Sequence, residues 1–194
     1  MKVVLASNNP NKLREMRQIL SPLGWTILLQ KDLGISVDPD ENGETFEENS
    51  LIKAEAVMKA SGLPAIADDS GVEVDALNGA PGVHSARYGG PACKDDEERN
   101  QLLLRNLEKV PQGQRGARFV SVITLVRPDG SMVSARGELP GEILLQEQGD
   151  GGFGYDPLFY IPSEGCTMAE LTPERKNEIS HRAVALRNFV EKLR

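Results

Sequence analysis

The chain of 194 residues has few of the features that mark several large classes of protein. Its two cysteines, Cys93 and Cys166, are far apart and fit no metal-binding spacing, so we expect inert thiols in a reducing compartment. No apolar stretch approaches a transmembrane span, and the apolar start is too short for a signal peptide. A formal net charge of −7 argues against general binding to nucleic acid polymers or anionic membranes. We therefore expect a soluble, cytoplasmic, globular protein.

Predicted helices and strands alternate through the first third of the chain. A short strand precedes a helix that Asn9 caps and Pro10 begins, and a second strand follows over residues 25–29. Thr45 and Glu48 then form a capping box that opens another helix. The opening of the chain is therefore typical of a βαβ unit.

The same alternation continues to the end of the chain. Residues 119–126 and 132–138 flank a hairpin turn, residues 141–146 could add a strand, and the chain ends in an amphipathic helix over residues 180–194. This pattern predicts an α/β fold on a mixed sheet. Because no segment resembles a linker, we expect a single domain over residues 1–194, built as one unit or as two closely packed lobes.

Two adjacent carboxylates, Asp68 and Asp69, precede Ser70 and Gly71 and follow an apolar run over residues 63–67, which predicts a buried strand that ends at the pair. Two negative charges this close raise each other's pKa and are tolerated best beside a cation. Mg²⁺ is the simplest such cation, because it takes one or two carboxylates and fills its other positions with water and phosphate oxygens. The alternative is an aspartate that caps a turn through backbone N–H groups. We favour the metal site.

The loop between the first strand and the first helix, residues 7–12, is a candidate anion site. Such a loop presents free backbone N–H groups and the positive end of the helix dipole, and Lys12 adds a charge near that opening. The flanking glycines of a P-loop are missing. The alternative is a plain helix cap, which explains Asn9 and Pro10 but not the polar residues around them.

Two residues between these segments could belong to the same site. Lys53 lies one helical turn after Asn49 and shares a face with it, although an exposed lysine is usually only a solvated charge. Glu41 lies in an acidic loop in which most carboxylates merely increase solubility. One of these carboxylates could complete a metal site with Asp69.

The glycine-dense segment at residues 149–157 carries two aromatic residues, Phe153 and Tyr155. Glycine lets the backbone approach a ligand closely, and the two rings offer stacking surfaces for a flat base. A mobile surface loop is the alternative, but such loops rarely carry Phe and Tyr between glycines. We favour a base pocket.

The start of the last helix brings together His181 and Arg182, with Lys176 just upstream. Their side chains offer fixed hydrogen-bond donors that suit a carbonyl or phosphate oxygen. The alternative for each residue taken separately is an ordinary solvated helix start.

Together these segments resemble the inosine triphosphate pyrophosphatase family, whose members hydrolyse non-standard purine nucleoside triphosphates. The matching motifs run in order over nearly the whole chain and are Ser7-Asn8-Asn9-Pro10-Asn11-Lys12, Thr45-Phe46-Glu47-Glu48-Asn49, Ala67-Asp68-Asp69-Ser70-Gly71, Gly82-Val83-His84-Ser85-Ala86-Arg87-Tyr88, Gly151-Gly152-Phe153-Gly154-Tyr155-Asp156-Pro157 and Ser180-His181-Arg182. Members of that family usually have threonine where this chain has Ser7, and glycine is common where it has Asn8.

The resemblance implies an elongated mixed β-sheet flanked by helices, with two lobes and a substrate cleft between them, and usually a homodimer. It implies Mg²⁺-dependent hydrolysis of inosine, deoxyinosine and xanthosine triphosphates (ITP, dITP and XTP) to the monophosphate and pyrophosphate. Asp69 would be the catalytic carboxylate and a metal ligand, and Glu41 and Asp68 would support the metal. The residues that would bind the substrate are Ser7, Asn8, Asn9, Pro10, Asn11, Lys12, Lys53, Ser70, Phe153, Gly154, Tyr155, Asp156, Lys176, His181 and Arg182.

The chemistry of the base predicts which nucleotides such a site rejects. Hypoxanthine and xanthine carry an acceptor oxygen at position 6, where adenine has an amino donor, so a donor such as Arg182 would be left unpaired against adenine. Guanine shares that oxygen, and its exclusion must therefore rest on its 2-amino group.

Two other functions stay open. One is a house-cleaning pyrophosphatase for modified pyrimidine or methylated nucleotides. The other is a non-catalytic nucleotide-binding regulatory protein.

Overall fold

The computed structural model, which describes residues 1–194, contains seven β-strands and five α-helices, which alternate as far as the fourth strand. The strands are β1 (Lys2–Leu5), β2 (Thr26–Leu29), β3 (Ala65–Val74), β4 (Gly116–Val126), β5 (Met132–Ile143), β6 (Phe159–Ile161) and β7 (Cys166–Thr167). The helices are α1 (Pro10–Leu20), α2 (Phe46–Ser61), α3 (Asp96–Asn106), α4 (Pro173–Ile179) and α5 (His181–Lys192). No helix is both long enough and apolar enough to cross a membrane.

All seven strands form one mixed sheet in the order β2-β1-β3-β4-β5-β6-β7. β1 is parallel to β2 and β3, and Val4 lies opposite Leu28 and Ala65, whereas β6 is antiparallel to both β5 and β7. Only five residues separate β4 from its neighbour β5, as the predicted hairpin requires. The structure therefore confirms an α/β fold with a mixed sheet flanked by helices.

Short-range signals in the sequence set the starts of three helices. The Asn9 side chain accepts hydrogen bonds from two backbone N–H groups of α1, and Thr45 and Glu48 form the reciprocal capping box of α2. Ser180 caps α5 in the same way as Asn9 caps α1. α2 ends where Gly62 adopts a left-handed conformation with φ of 67°.

The structure differs from the sequence prediction in the extent of two strands. β3 does not end near the aspartate pair but continues to Val74, so both aspartates lie within the strand. The predicted separate strand over residues 141–146 is wrong, because β5 itself runs on to Ile143 and no further strand follows before β6. Strands β6 and β7, of three and two residues, were not predicted, because they are too short to show a period in the sequence.

The chain divides into two compact units. Unit 1 comprises Met1–Ser70, Ser121–Gly137 and Ser180–Arg194, and unit 2 comprises Gly71–Val120 and Glu138–Ile179. Unit 2 has an apolar core of its own, in which Phe119 and Phe159 lie with their ring centres 4.2 Å apart. The prediction of a single domain without a separable linker stays a prediction.

Unit 1 buries apolar residues on both faces of its strands. On one face Leu5 and Ile66 pack with Phe189 of α5 and with residues of α1, and on the other face Ala65 and Ala67 pack with residues of α2. This arrangement follows from the pleat, since successive side chains of a strand point to opposite faces. The next residues of β3 within unit 1, Asp68 and Asp69, are therefore directed one toward α1 and α5 and the other toward α2.

Candidate active site

The pleat of β3 separates the two adjacent aspartates. Ile66 lies on the α1 and α5 face and Ala67 on the α2 face, so continued alternation places Asp68 on the first face and Asp69 on the second. Both carboxylates are buried. The two charges thus avoid each other, and each one meets a different set of partners.

Asp68 is fully engaged by residues of unit 1. Its Oδ1 accepts a hydrogen bond from the Ser121 hydroxyl at 2.6 Å, and its Oδ2 lies 2.7 Å from Lys12 Nζ and 3.1 Å from a guanidinium nitrogen of Arg182. Burial alone would raise the pKa of Asp68, but Arg182 and Lys12 hold it well below its usual range. Asp68 therefore stays ionised between two cations.

Arg182 joins this cluster from the first turn of α5, and its side chain is buried. The guanidinium donates to the Asp68 carboxylate, to Ser70 Oγ at 3.2 Å and to the Glu15 carboxylate of α1. Burial would lower the pKa of Arg182, but Asp68 and Glu15 raise it above its ordinary value. Because all three guanidinium nitrogens have partners, the predicted contact with a base requires Arg182 to exchange one of them, and that role stays a prediction.

Asp69 meets the cation of α2. Its Oδ1 lies 2.6 Å from Lys53 Nζ, which also lies 3.1 Å from the Glu41 carboxylate. The second carboxylate oxygen, Oδ2, is buried and has no hydrogen-bond partner. Burial raises the pKa of Asp69 to about 6, although Lys53 opposes that rise. Asp69 is thus the carboxylate of the pair whose protonation changes near neutral pH.

Lys12 and Lys53 converge on the backbone of Asp68 from two helices. The Asp68 carbonyl oxygen accepts from Lys53 Nζ at 3.1 Å and from Lys12 Nζ at 3.3 Å. Burial lowers the pKa of Lys12, whereas the pKa of Lys53 is raised because Asp69 and Glu41 outweigh its burial. The structure therefore brings the two predicted lysines into one cluster with the aspartate pair.

The charges and the donor set of this cluster fit a hard divalent cation. Three cationic side chains, Lys12, Lys53 and Arg182, face four anionic ones, Glu15, Glu41, Asp68 and Asp69. The ammonium group of Lys53 already lies between the carboxylates of Asp69 and Glu41, which shows that both attract positive charge. The Oδ2 of Asp69, which has no partner, is a further oxygen that could bind a cation. These features favour cation binding at Asp69 and Glu41.

The protein alone does not supply a full set of metal ligands. No group of three or more His, Cys, Asp and Glu side chains is arranged to hold a metal ion. Mg²⁺ is compatible with such a sparse site, because it binds through one or two carboxylates and keeps water or phosphate oxygens in its other positions. The metal role predicted for Asp68 stays a prediction, and its four existing partners, Lys12, Ser70, Ser121 and Arg182, argue against it.

The loop at residues 7–12 closes on itself around the start of α1. Ser7 Oγ accepts from the backbone N–H of Asn9 at 3.1 Å, Asn9 caps the helix, and Asn11 accepts from Arg14 at 2.8 Å. Asn8 is exposed. These contacts occupy the backbone N–H groups of Asn9, Asn11 and Lys12, so the anion site stays a prediction, and Lys12 links the loop to the aspartate cluster.

In unit 2 the glycine-dense segment forms a second group of predicted residues. Asp156 Oδ2 accepts from the Phe153 backbone N–H at 3.1 Å and lies 2.8 Å from Lys176 Nζ, which is also 4.9 Å from the centre of the Phe153 ring. Tyr155 does not offer the predicted stacking surface. Its ring lies in the unit 2 core and its hydroxyl donates to the Ser85 carbonyl at 2.7 Å.

Several polar residues of these clusters were missed from the sequence. Glu15 and Ser121 contact Arg182 and Asp68 in unit 1, and in unit 2 the α3 residues Asp96 and Asn100 contact the glycine segment. Glu15 had a local signal, since it lies three residues after Lys12 on the same helix face. The other three had none, because their partners lie between 53 and 58 residues away along the chain.

The whole chain is similar to proteins of known sequence and structure. The family model described as the Ham1 family matches residues 3–192. A Thermus thermophilus protein named dITP/XTP pyrophosphatase is 53% identical over 98% of this chain and 91% of its own length. A protein of the same name from Mannheimia succiniciproducens is 51% identical over 99% of this chain and 98% of its own.

Solved structures of proteins with similar sequences have the same fold. The structure of a HAM1 protein from Coxiella burnetii is 44% identical, superposes with a TM-score of 0.91, and covers 100% of this chain and 98% of its own. A structure from Mycobacterium abscessus, named nucleoside-triphosphatase and dITP/XTP pyrophosphatase, is also 44% identical with a TM-score of 0.79, over 96% of this chain and 97% of its own.

Proposed function

Because this chain belongs to the Ham1 family, we propose that it is an enzyme that hydrolyses non-standard purine nucleoside triphosphates to the monophosphate and pyrophosphate. Its substrates are ITP, dITP and XTP, and their removal cleanses the nucleotide pool. The observation that carries this proposal is the split aspartate pair, in which Asp69 meets Lys53 and Glu41 while Asp68 is locked between Lys12 and Arg182. The near full-length similarity to proteins named dITP/XTP pyrophosphatase supports the choice of reaction.

Asp69 is the group that we assign to activation of water. Water adds to one phosphorus of the anhydride between the α- and β-phosphates, the bond from that phosphorus to the bridging oxygen breaks, and the monophosphate and pyrophosphate separate. The proton lost by the water passes to the Asp69 carboxylate, which, unlike Asp68, is not held between two cations.

The lysines of the cluster hold the phosphate chain in this proposal. Lys12 would bind phosphate oxygens together with backbone N–H groups at the start of α1, which would exchange the Asn9 side chain for phosphate. Lys53 would help to hold the phosphates and would keep Asp69 oriented. Mg²⁺ would be held by Asp69 and Glu41, and when bound it neutralises charge on the phosphates. The cluster has more anionic than cationic side chains, so a polyanionic substrate needs this added positive charge.

The base is assigned to the glycine segment of unit 2. Phe153 offers a ring face, and Lys176 and Asp156 fix the backbone around it. An N–H donor directed at the oxygen on position 6 would be left unpaired by adenine, at a cost of about 1–3 kcal/mol. The contact of the nucleotide with Arg182 and His181 that the sequence predicts stays a prediction, and it requires Arg182 to exchange one of its present partners.

A substrate panel with product identification tests the proposal. Pyrophosphate release should depend on Mg²⁺, and kcat/KM should be about 10- to 100-fold higher for ITP than for ATP, the ratio expected from one stranded donor. Equal values on all purines would contradict the substrate assignment, and orthophosphate as the direct product would contradict the reaction. Higher rates on modified pyrimidine or methylated nucleotides would favour the rival pyrophosphatase.

Two further parts of the proposal have tests of their own. Binding of ITP without any release of pyrophosphate would favour a non-catalytic nucleotide-binding protein over an enzyme. The homodimer implied by the family resemblance predicts twice the chain mass of 21.1 kDa in sedimentation equilibrium, and a monomer at all concentrations would contradict it. A cytoplasmic location stays a prediction.

A further inference from the structure

Both backbone polar groups of Gly154 are held by side chains of α3. The Gly154 N–H donates to Asp96 Oδ2 at 2.7 Å, and the Gly154 carbonyl accepts from Asn100 Nδ2 at 3.2 Å. Asp96 and Asn100 are four residues apart, so they lie one above the other on a single helix face. One face of α3 thus fixes the peptide groups on both sides of the Gly154 Cα.

The amide of Asn100 has only one orientation that fits its surroundings. Its Nδ2 also donates to Glu147 Oε1 at 2.7 Å, so both amide hydrogens are used, while its Oδ1 is buried without a partner. A flipped amide would place its oxygen against the Glu147 carboxylate and the Gly154 carbonyl, both of which are acceptors. Glu147 therefore sets the direction in which Asn100 donates.

Gly154 lies in the glycine segment to which the proposed function assigns the base, so the conformation of its backbone affects binding of the nucleoside. It adopts a left-handed conformation with φ of 63°, and it directly follows Phe153, whose ring lies near Lys176. A glycine is free to take many other conformations, so a segment with this composition does not hold an aromatic ring in place by itself. Fixing both polar groups of Gly154 removes that freedom.

We propose that Asp96 and Asn100 are positioning residues for binding of the nucleoside, which they promote by holding Gly154 and with it the Phe153 ring. This inference rests on the proposed function, because it takes the glycine segment as the part that contacts the base. Neither residue needs to touch substrate or the reacting atoms. Loss of either contact should therefore weaken binding of the nucleoside and leave the chemical step unchanged.

Two variants with matched controls test this role. Asn100→Asp replaces the amide donor by a carboxylate that faces Glu147 and the Gly154 carbonyl, and Asp96→Ala removes the acceptor at the exposed start of α3. The controls are Asn106→Asp, which makes the first change on the same helix beside Tyr88, and Glu97→Ala, which removes an exposed carboxylate next to Asp96. Asp96→Ala keeps the test decisive if Asn100→Asp does not fold.

The measurements separate binding of the nucleoside from binding of phosphates. For each variant, KM and kcat are determined with ITP, and the inhibition constant is determined for tripolyphosphate, which has no base or sugar. Asp96→Ala and Asn100→Asp should raise KM by about tenfold, with kcat and the tripolyphosphate constant within about twofold of wild type. The two controls should leave all three values unchanged.

Two outcomes would overturn the positioning role. One is an unchanged KM in both variants, and the other is a parallel rise in KM and in the tripolyphosphate constant, which indicates general loosening of the protein. Failure of the proposed function shows separately, as a wild-type protein that releases no pyrophosphate from ITP. In that case calorimetric dissociation constants for ITP and tripolyphosphate replace the kinetic values. The α3 residues have the proposed role if the two variants raise the dissociation constant for ITP and leave that for tripolyphosphate unchanged.

Discussion

Asp68 and Asp69 are neighbours in β3, yet their carboxylates bind cations that come from different helices. Asp68 contacts Lys12 of α1 and Arg182 of α5, whereas Asp69 contacts Lys53 of α2. The two side chains lie on opposite faces of the strand, so each carboxylate has its own surroundings. These surroundings lower the pKa of Asp68 and raise the pKa of Asp69. In the proposed function the pair therefore divides into a structural carboxylate, Asp68, and a reactive one, Asp69.

This division predicts different defects when each aspartate is replaced by asparagine. Asp69→Asn should lower kcat by about 100-fold or more, because the residue loses its basic carboxylate. It should not lower the free energy of unfolding at neutral pH, because the neutral amide avoids burial of a charge. Asp68→Asn should lower the free energy of unfolding by about 3–5 kcal/mol, because Arg182 and Lys12 lose the anion that compensates them in a buried site. Urea denaturation and steady-state kinetics on both variants measure the two effects. Similar losses of kcat at similar stability would contradict the division.

The raised pKa of Asp69 predicts a pH dependence of stability in chelator-treated protein. The folded state holds its proton up to about pH 6, whereas the unfolded chain loses it near the ordinary value of 3.8. The contribution of Asp69 is therefore fully present below about pH 4 and is lost as the pH rises through 6, by up to about 3 kcal/mol. Asp69→Asn cannot show this loss and serves as the reference. Parallel stability profiles of the two proteins from pH 4 to pH 7 would refute the shift.

The sparse ligand set of the cluster predicts weak, exchangeable metal binding. Chelation should abolish pyrophosphate release without changing the far-ultraviolet circular dichroism spectrum, and added Mg²⁺ should restore activity. Glu41→Gln should raise the Mg²⁺ concentration for half-maximal activity by about tenfold, because one of two carboxylates is lost. Glu44→Gln, an exposed change in the same acidic loop, is the matched control. Full activity in the presence of excess chelator would contradict the metal site.

The close approach of β5 to α5 predicts that Gly137 tolerates no side chain. A methyl group there would overlap the backbone nitrogen of Ala185 and the carbonyl oxygen of His181, and backbone atoms cannot rotate away. Gly137→Ala should therefore lower the free energy of unfolding by about 1–3 kcal/mol. It should also lower kcat/KM, because a shifted α5 displaces Arg182.

Gly116→Ala is the control for this steric effect. Its methyl group would meet only the carboxylate end of Asp75 at 2.8 Å, and that side chain can move. Thermal unfolding of both variants separates the cases. An equal and small change in both would show that α5 adapts to the extra methyl group.

Local rules in the sequence were sufficient for the helix starts and for the fold class. The caps at Asn9, Thr45 and Ser180 depend on hydrogen bonds between residues two or three positions apart, so the sequence contains the whole interaction. The alternation of apolar segments likewise indicated an α/β fold before any contact was known. β6 and β7 could not be found in this way, since they persist only through pairing with each other and with β5.

The sequence by itself determined that two adjacent carboxylates follow an apolar strand, and their proximity alone predicted a need for positive charge. Only the tertiary structure decided which cation each one binds, because Arg182 lies 114 residues from Asp68 and reaches it through the packing of α5. The same holds for Asn100 and Gly154, which are 54 residues apart. A side chain's local sequence sets the direction in which it leaves the backbone, whereas the packing of helices on the sheet sets what it meets.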